Sequence, residues 1–383
     1  MIWKGEKSSA QSALFFLPNS NHGIGHFCFR WAGLSQIAAG RNPNSMHDFL
    51  STTHAMSGKL IDKFGRQITD LRISVTDRCN FRCVYCRSAN PENHMAEHNL
   101  LSWDELERLA RILVGLGIKK VRVTGGEPLV RPGVEEFISQ LRALGVPDIS
   151  LTTNGQLLAE RCERLVAAGL NRINISLDSL DRAKFDKITR TRSFDRVMAG
   201  IDAAQASPLR PVKVNAVLVR GLNDDEVEAF AAFARERDLI MRFIEFMPLD
   251  ADRAWTRDLF VPAEEVRRRI EARWPMVPIA HERSETARKY RFTDGRGEIG
   301  LIAPVSQPFC GFCSRIRLTA DGKLRTCLFS KDDHDLKGLL RGGASDQEIV
   351  DEIRGIVMEK EAGHRINEPD FVPPSRTMVY IGG

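Results

Sequence analysis

Cys79, Cys83 and Cys86 stand in a C-x3-C-x2-C spacing directly after a strand-like run, Leu71–Thr76. Three thiolates crowded into eight residues will hold a metal centre, and three is one fewer than a closed site needs. Structural zinc takes four ligands, and a cubane [4Fe–4S] cluster has four irons to cap. A three-cysteine loop can therefore leave one iron open to a ligand that is not protein, and that open position is where the chemistry is expected to start. The competing reading is zinc, with His94 or His98 as fourth ligand. A second triplet, Cys310-x2-Cys313-x13-Cys327, is incomplete in the same way; as a zinc ribbon or knuckle it would look to His334.

Other residues suit charged ligands. Thr124-Gly-Gly-Glu-Pro128 ends a strand-like run. Its paired glycines let backbone approach a ligand closely, and Glu127 offers an acceptor for a cationic group such as an amine. Taken alone, the run could be merely a turn. Arg315 and Arg317 are two apart in Ser314–Thr319, a strand pattern that points both guanidiniums the same way. Two arginine forks beside a metal suit a polyphosphate, which arginine binds bidentately. The plainer alternative is an exposed strand with solvated arginines.

The elements that must position these groups alternate along the chain. Candidate strands are Asp70–Thr76, Lys119–Thr124, Asp148–Thr153, Arg172–Leu177, Val212–Val219 and Met241–Phe246. Helical patterns lie between them, opened by Ser102-x-x-Glu105 and Asn223-x-x-Glu226, both of which read as capping boxes. Six β-then-α units predict an α/β fold, a partial (β/α)6 parallel barrel, over residues 57–262. Residues 263–383 form a smaller carboxy-terminal region that carries the second triplet. Period-two alternation puts Arg72, Ser74 and Thr76 on one face of the first strand, Lys120, Arg122 and Thr124 on one face of the second, and Lys213 beside Asn215 on the fifth. If the apolar faces look outward to the helices, the lumen is cationic. Buried cations are costly unless paired with anions, so the lumen should hold an anionic ligand. A half-exposed sheet would show the same alternation.

Composition narrows the function classes. Apolar content of 43 % and charged content of 27 % are those of an ordinary globular protein. The net charge of +5 is spread over both signs, so bulk nucleic-acid binding is not indicated. No run of 18 apolar residues predicts a membrane span. Six of the eight cysteines fall in the two triplets, with Cys28 and Cys162 alone, which points to metal in a reducing compartment rather than disulfides. Residues 1–56 lack sustained periodicity and read as a disordered extension or a mis-called start, with Met46 or Met56 as the real beginning.

The cysteine loop followed by Gly-Gly-Glu-Pro on the next β/α unit resembles the radical S-adenosylmethionine superfamily. Within it the chain is similar to the GTP 3′,8-cyclase family of molybdenum cofactor biosynthesis, from about Phe64 to the carboxy terminus. The resemblance is carried by Leu71–Cys83, the Gly-Gly-Glu-Pro turn, Thr152-Thr-Asn-Gly155, Ser176–Leu180, Arg242–Pro248 and the second triplet with its arginines. It implies two [4Fe–4S] clusters, one on Cys79, Cys83 and Cys86, the other on Cys310, Cys313 and Cys327. It implies S-adenosyl-L-methionine bound by Gly126, Glu127, Thr153, Ser176, Arg242 and Met247. GTP would be held by Arg72, Lys120, Arg122, Lys213, Arg315 and Arg317, which includes the inward cations that alternation had already picked out. Gly382 and Gly383 resemble the family's terminal glycines, which reach into the active site; with Arg72, Lys213, Arg315 and Arg317 they are the expected catalytic residues. The reaction implied is formation of (8S)-3′,8-cyclo-7,8-dihydroguanosine 5′-triphosphate through a 5′-deoxyadenosyl radical, hydrogen abstraction at ribose C3′ and attack on guanine C8. An electron donor, a downstream cyclic pyranopterin monophosphate synthase and a cytoplasmic location go with it, and the resemblance leaves room for a homodimer. Two departures stand out: Arg87-Ser-Ala-Asn-Pro91 where the family usually continues Met-Pro after the third cysteine, and Ser314 where Asn is more usual. The rival reading is a radical enzyme that modifies a peptide and carries a carboxy-terminal auxiliary cluster.

Overall fold

The computed structural model describes residues 58–88 and 94–382. The amino-terminal extension with Cys28, Met46 and Met56, most of the atypical loop after Cys86, and Gly383 lie outside the described residues. Six strands, β1 (Asp70–Ser74), β2 (Lys120–Thr124), β3 (Asp148–Thr153), β4 (Arg172–Ser176), β5 (Val212–Leu218) and β6 (Ile240–Glu245), fall within two residues of their expected ends. Helices connect them in sequence: α1 (Trp103–Gly115), α2 (Val134–Ala143), α3 (Leu158–Ala167), the pair α4 (Arg182–Thr189) and α5 (Phe194–Ala206), and α6 (Val227–Arg237). After β6 come α7 (Ala263–Glu271), β7 (Met276–Pro278), β8 (Arg288–Phe292), β9 (Glu298–Ile302), β10 (Arg315–Leu318), β11 (Lys323–Arg325) and β12 (His334–Asp335). Three further helices follow: α8 (Leu336–Arg341), α9 (Asp346–Met358) and the short α10 (Met378–Ile381).

One sheet of twelve strands runs in the order β12-β11-β10-β1-β2-β3-β4-β5-β6-β9-β8-β7. Every ladder from β10 across to β9 is parallel, and the outer pairs are antiparallel. The sheet does not close on itself, so the barrel is partial, as expected. The region after α7 supplies the parallel neighbours of both the first and the sixth strand: β10 pairs β1 from Asp70↔Arg315 to Ile73↔Leu318, and β9 pairs β6.

The strand faces divide as alternation requires. Leu71, Ile73, Val121, Val123, Ile149, Leu151, Ile173, Ile175, Val214, Ala216, Met241 and Phe243 are buried in one apolar core with the helices. Leu106, Leu109, Ala110, Ile112 and Leu113 of α1 face them and are fully buried. Each such leucine or isoleucine contributes about 1.5–3 kcal/mol of burial. Arg72, Ser74, Arg122, Thr124, Ser176, Lys213, Asn215 and Arg242 are left for the other face, which lines two cavities.

The Ser102 capping box forms: Glu105 N–H donates to Ser102 Oγ (3.1 Å), and Ser102 N–H donates to Glu105 Oε2 (2.7 Å). The second expected box does not. A 3-10 turn, Asp224–Glu226, intervenes, and the two side chains are drawn inward to other partners. The Asn223 amide bridges the carbonyls of Asp178 and Val217, while Glu226 accepts from Ser179 Oγ and Leu180 N–H. The motif ties the loop after β4 to the end of β5, a tertiary demand that outweighs the local one.

Candidate active site

The first cysteine loop leaves β1 at its carboxyl end and is fixed from two sides. Arg82 and Val84 N–H groups donate to the carbonyls of Thr189 and Ile188 at the end of α4, and Cys86 N–H closes a turn onto Cys83 O. On the other side the Gly-Gly-Glu-Pro turn lies directly against it. A Cβ on Gly126 would stand 2.4 Å from the Arg78 carbonyl oxygen, so only glycine fits there. Gly126 and Glu127 N–H groups donate to Thr76 O (2.7 Å) and Arg78 O (2.8 Å). Glu127 itself is 1 % exposed. One carboxylate oxygen accepts from Leu129 N–H and Thr153 Oγ1, the other from Asn154 N–H. Its carboxylate holds the turn, and Glu127 is not among the residues that line the cavity beside it.

A cavity of about 310 Å³ opens beyond this turn, at the carboxyl ends of the strands, and all six clustered cysteines line it. Gly126, Thr153, Ser176, Arg242 and Met247 line the same cavity, with Tyr85, Asn215 and His364. A second cavity of about 400 Å³ lies toward the amino ends of the strands, lined by Lys120, Lys213, Arg172 and the segment Glu282–Ala287. Arg72, Arg122, Arg242 and Arg315 border both, so a layer of guanidiniums separates the two spaces. Arg317 belongs to the upper cavity, and Lys120 to the lower, where it pairs with Glu282 at 2.6 Å.

The cations carry the strain of like charge. Burial, then Arg317, Arg122, Arg315 and Arg242, pull the Arg72 pKa well below its ordinary value. Burial and neighbouring cations likewise lower Arg122 to about 10, Arg242 and Arg317 to about 9, and Lys213 to about 7. A guanidinium does not give up its proton inside a protein, so for the arginines these shifts measure uncompensated charge rather than neutralisation. Arg242 Nε is buried without a partner, and so is the side-chain oxygen of Asn215, its neighbour across β5 and β6.

The thiols fit an iron–sulfur group. Among the described residues no disulfide joins the cysteines. Phe81 N–H and the Asn154 amide donate toward Cys79 Sγ at 3.4 and 3.9 Å, contacts that stabilise a thiolate. Burial and then Glu127 raise Cys79 to about 11; burial, Asp178 and the two neighbouring thiols raise Cys83. In the second triplet burial would raise Cys313, but Arg315, Lys360 and Arg66 outweigh it and hold its pKa below the ordinary value. Among the described residues no three His, Cys, Asp or Glu side chains converge on one point as the ligands of a single ion do. A cubane cluster instead gives each thiolate its own iron. None of His94, His98 and His334 of the zinc readings lines the cavity of the cysteines; His94 faces Asp77 at 3.6 Å and His334 faces Glu359 at 3.8 Å.

The chain terminus enters the cavity region from α10, whose Val379 and Ile381 are buried. Arg317 Nη1 donates to the Gly382 carbonyl at 2.6 Å. Gly382 has φ +85°, and a Cβ there would stand 2.8 Å from Ser74 Cβ and 3.2 Å from Thr124 Cγ2. Gly383 lies outside the described residues.

Some lining residues had no assigned role in the sequence reading. Alternation placed Asn215 beside Lys213, which was signal enough to include it. His364 sits in an irregular segment after α9, where no periodicity points inward.

A parallel, open barrel with a three-cysteine loop after its first strand defines a radical S-adenosylmethionine enzyme. Residues 73–234 match the Radical SAM superfamily, and residues 239–366 match Molybdenum Cofactor Synthesis C. The fold is similar to that of Streptococcus suis SuiB bound to S-adenosylmethionine, with a TM-score of 0.55 at 13 % identity, over 87 % of this chain and 80 % of that one. More specifically, the chain is 49 % identical over 335 residues to the GTP 3′,8-cyclase of Mycolicibacterium smegmatis, covering 85 % of this chain and 92 % of the relative. It is 44 % identical to that of Thermodesulfovibrio yellowstonii, covering 84 % and 99 %. The chain belongs to the GTP 3′,8-cyclase family, whose superfamily chemistry rests on an iron–sulfur cluster and S-adenosylmethionine.

Proposed function

We propose that the chain converts GTP to (8S)-3′,8-cyclo-7,8-dihydroguanosine 5′-triphosphate across these two cavities, an early step of molybdenum cofactor biosynthesis. One observation carries the reading: two cysteine triplets face one cavity whose floor is a layer of mutually repelling guanidiniums, Arg72, Arg122, Arg242 and Arg315. Cys79, Cys83 and Cys86 would hold the cluster that binds S-adenosylmethionine, with Gly126, Thr153, Ser176, Arg242 and Met247 around that cofactor. Cys310, Cys313 and Cys327 would hold a second cluster, making two, beside the purine. When bound and reduced, the first cluster supplies the electron that cleaves S-adenosylmethionine, and the radical chemistry is the cofactor's.

The chain's own residues bind, orient and exclude. Arg72, Arg122, Arg315 and Arg317 meet the triphosphate at the cavity floor, and Lys120 and Lys213 receive it from below. Neutralising that crowded positive charge is the interaction that makes the site prefer a polyphosphate. Glu282 must release Lys120 as a phosphate takes its place. Gly382, held by Arg317, closes the upper side and keeps water from the reacting ribose. Fixing ribose C3′ against the cofactor and guanine C8 against C3′ provides an effective molarity on the order of 10⁵ M or more. We place the protein in the cytoplasm, where reducing conditions keep such thiols free, with an external electron donor and a cyclic pyranopterin monophosphate synthase downstream. Among the described residues no helix is long and apolar enough to cross a membrane.

The test is anaerobic. Protein reconstituted with iron and sulfide receives S-adenosylmethionine, a strong reductant and GTP, and products are followed by mass spectrometry. GTP-dependent 5′-deoxyadenosine together with an isomer of GTP's mass supports the reading. Formation of 5′-deoxyadenosine with GTP untouched would transfer the site to another substrate, a peptide first.

A further inference from the structure

The two cysteine triplets sit in different, mixed electrostatic settings, with Arg87 also acting on Cys79 of the first and Glu361 on Cys327 of the second. Behind the first stand the buried carboxylates of Glu127 and Asp178, 1 % and 3 % exposed. Behind the second stands Lys360, 2 % exposed. Its ammonium donates to the carbonyls of Arg315, at 3.0 Å, and of Thr326. These carbonyls flank Cys313 and Cys327 in the chain. An ammonium has three donors, and two are accounted for. The adjacent Glu361 carboxylate accepts from the hydroxyls of Thr326 and Ser330 rather than from the ammonium, and at Cys327 its charge opposes that of Lys360.

The segment around Lys360 is built to stay in place. Arg66 donates to the carbonyls of Glu361 (2.6 Å), Ala362 (2.9 Å) and Cys310 (3.0 Å), locking the segment to the second triplet. Gly363 lies so close that a Cβ would stand 3.0 Å from Cys310 Cβ and 3.4 Å from its sulfur. Burial raises Cys310 and Cys327, with Glu361 adding to it at Cys327; the charge of Lys360 opposes this at both, and at Cys313 it acts with the stronger Arg315 to outweigh burial. A buried ammonium with only neutral acceptors is expensive unless an anion completes its surroundings.

We propose that Lys360 is a positioning residue of the second triplet: its buried ammonium is the counter-charge of the anionic iron–sulfur centre held by Cys310, Cys313 and Cys327, and it sets that centre's reduction potential above that of the first. This rests on the two-cluster reading given above. Reduction adds negative charge, so a fixed cation nearby favours the reduced state and buried carboxylates disfavour it. Low-dielectric surroundings strengthen both effects, and net charge around a cluster is among the levers that set its potential. The second centre is therefore the one that fills first when electrons are supplied.

The experiment is an EPR-monitored reductive titration of the reconstituted full chain. S-adenosylmethionine is added to mark the signal of the first centre, and iron is counted in every sample. Wild type should show the second centre reduced at the less negative potential. Lys360→Met should move that centre to more negative potential, or lose its iron, with the first centre unmoved, and Lys360→Arg should retain iron and restore the potential. An unmoved second potential in Lys360→Met at full iron content overturns the proposal. So does equal loss of iron in both variants, since arginine keeps the charge. Wild type with iron at the first triplet alone would remove the two-cluster reading and this inference together, a result separable from the other two by the iron count.

Discussion

Replacing Gly382 by alanine should cripple turnover while leaving the iron–sulfur sites intact. The new methyl group would stand 2.8 Å from Ser74 Cβ and 3.2 Å from Thr124 Cγ2, with both strands fixed in the sheet. The backbone conformation at Gly382, φ +85° and ψ 112°, is itself unfavourable for an L-residue. Strain of that kind costs about 1–3 kcal/mol, and the overlap adds about 1–3 kcal/mol more unless the tail shifts. A total of about 2–6 kcal/mol disfavours the docked tail by roughly thirtyfold at the low end and about ten-thousandfold or more at the high end, at 1.4 kcal/mol per tenfold. The assay is the rate of 5′-deoxyadenosine and cyclised product formation per reconstituted enzyme, with iron content and S-adenosylmethionine affinity measured in parallel. Ser74→Gly in the same chain removes the nearest clashing atom, so the double variant should recover part of the loss and leave the backbone part behind. A Gly382→Ala enzyme that turns over at the wild-type rate with normal iron would refute the idea that a docked tail completes the site.

Arg317→Ala should lower kcat/KM for GTP by roughly ten- to a hundredfold, from the loss of one charge-assisted contact of about 1.5–3 kcal/mol, at near-normal iron content; equal loss of iron would make the arginine structural. Lys213, whose pKa burial and then Arg242 lower to about 7, should regain its proton when a triphosphate arrives. GTP binding measured by calorimetry should therefore take up protons above pH 7 and weaken as pH rises, a dependence that Lys213→Met removes. With no ligand, the unfolded chain holds that lysine's proton up to about pH 10.5 and the folded chain only to about pH 7, so this group's contribution makes stability rise with pH across that window, read by denaturant midpoints. Glu127→Gln leaves one N–H donor facing an amide donor in a buried turn and should cost about 1–3 kcal/mol in chemical denaturation.

Much of this was legible because a β-strand writes its two faces into alternate letters. Arg72, Arg122 and Lys213 could be placed inward from the sequence, since Ile73, Val123 and Val214 had to face helices. The cysteine loop was equally plain, for its spacing is the chemistry. Glu127 was legible as an acceptor, but not the partners it meets, Leu129, Thr153 and Asn154. Sequence names an acceptor at a turn but not the side of the turn on which the neighbouring backbone lies. Lys120 met Glu282 because a segment before β8 folds under the barrel, and nothing local in either stretch announces the other. Asn223-x-x-Glu226 had the letters of a cap, yet Ser179 and Asp178 recruited them at long range. β10 was legible as a strand from Arg315 and Arg317, but neither it nor β9 was anticipated as a neighbour of the barrel strands, since alternation shows a strand's faces and not its partners.

The pairing of β1 with β10 has a bearing on how the protein comes into being. Asp70 waits for Arg315, and Ile240 for Glu298, so both flanks of the central strands stay open while most of the chain is being synthesised. Open parallel edges invite pairing with other chains, and contacts of such long sequence separation form slowly. The ribosome must release nearly the whole polypeptide before the sheet is sealed, and only then do Arg315 and Arg317 reach the side of the barrel where Arg72 and Arg122 already stand. A chain interrupted shortly after β6 would present two bare edges, and aggregation rather than a smaller working enzyme is its expected fate.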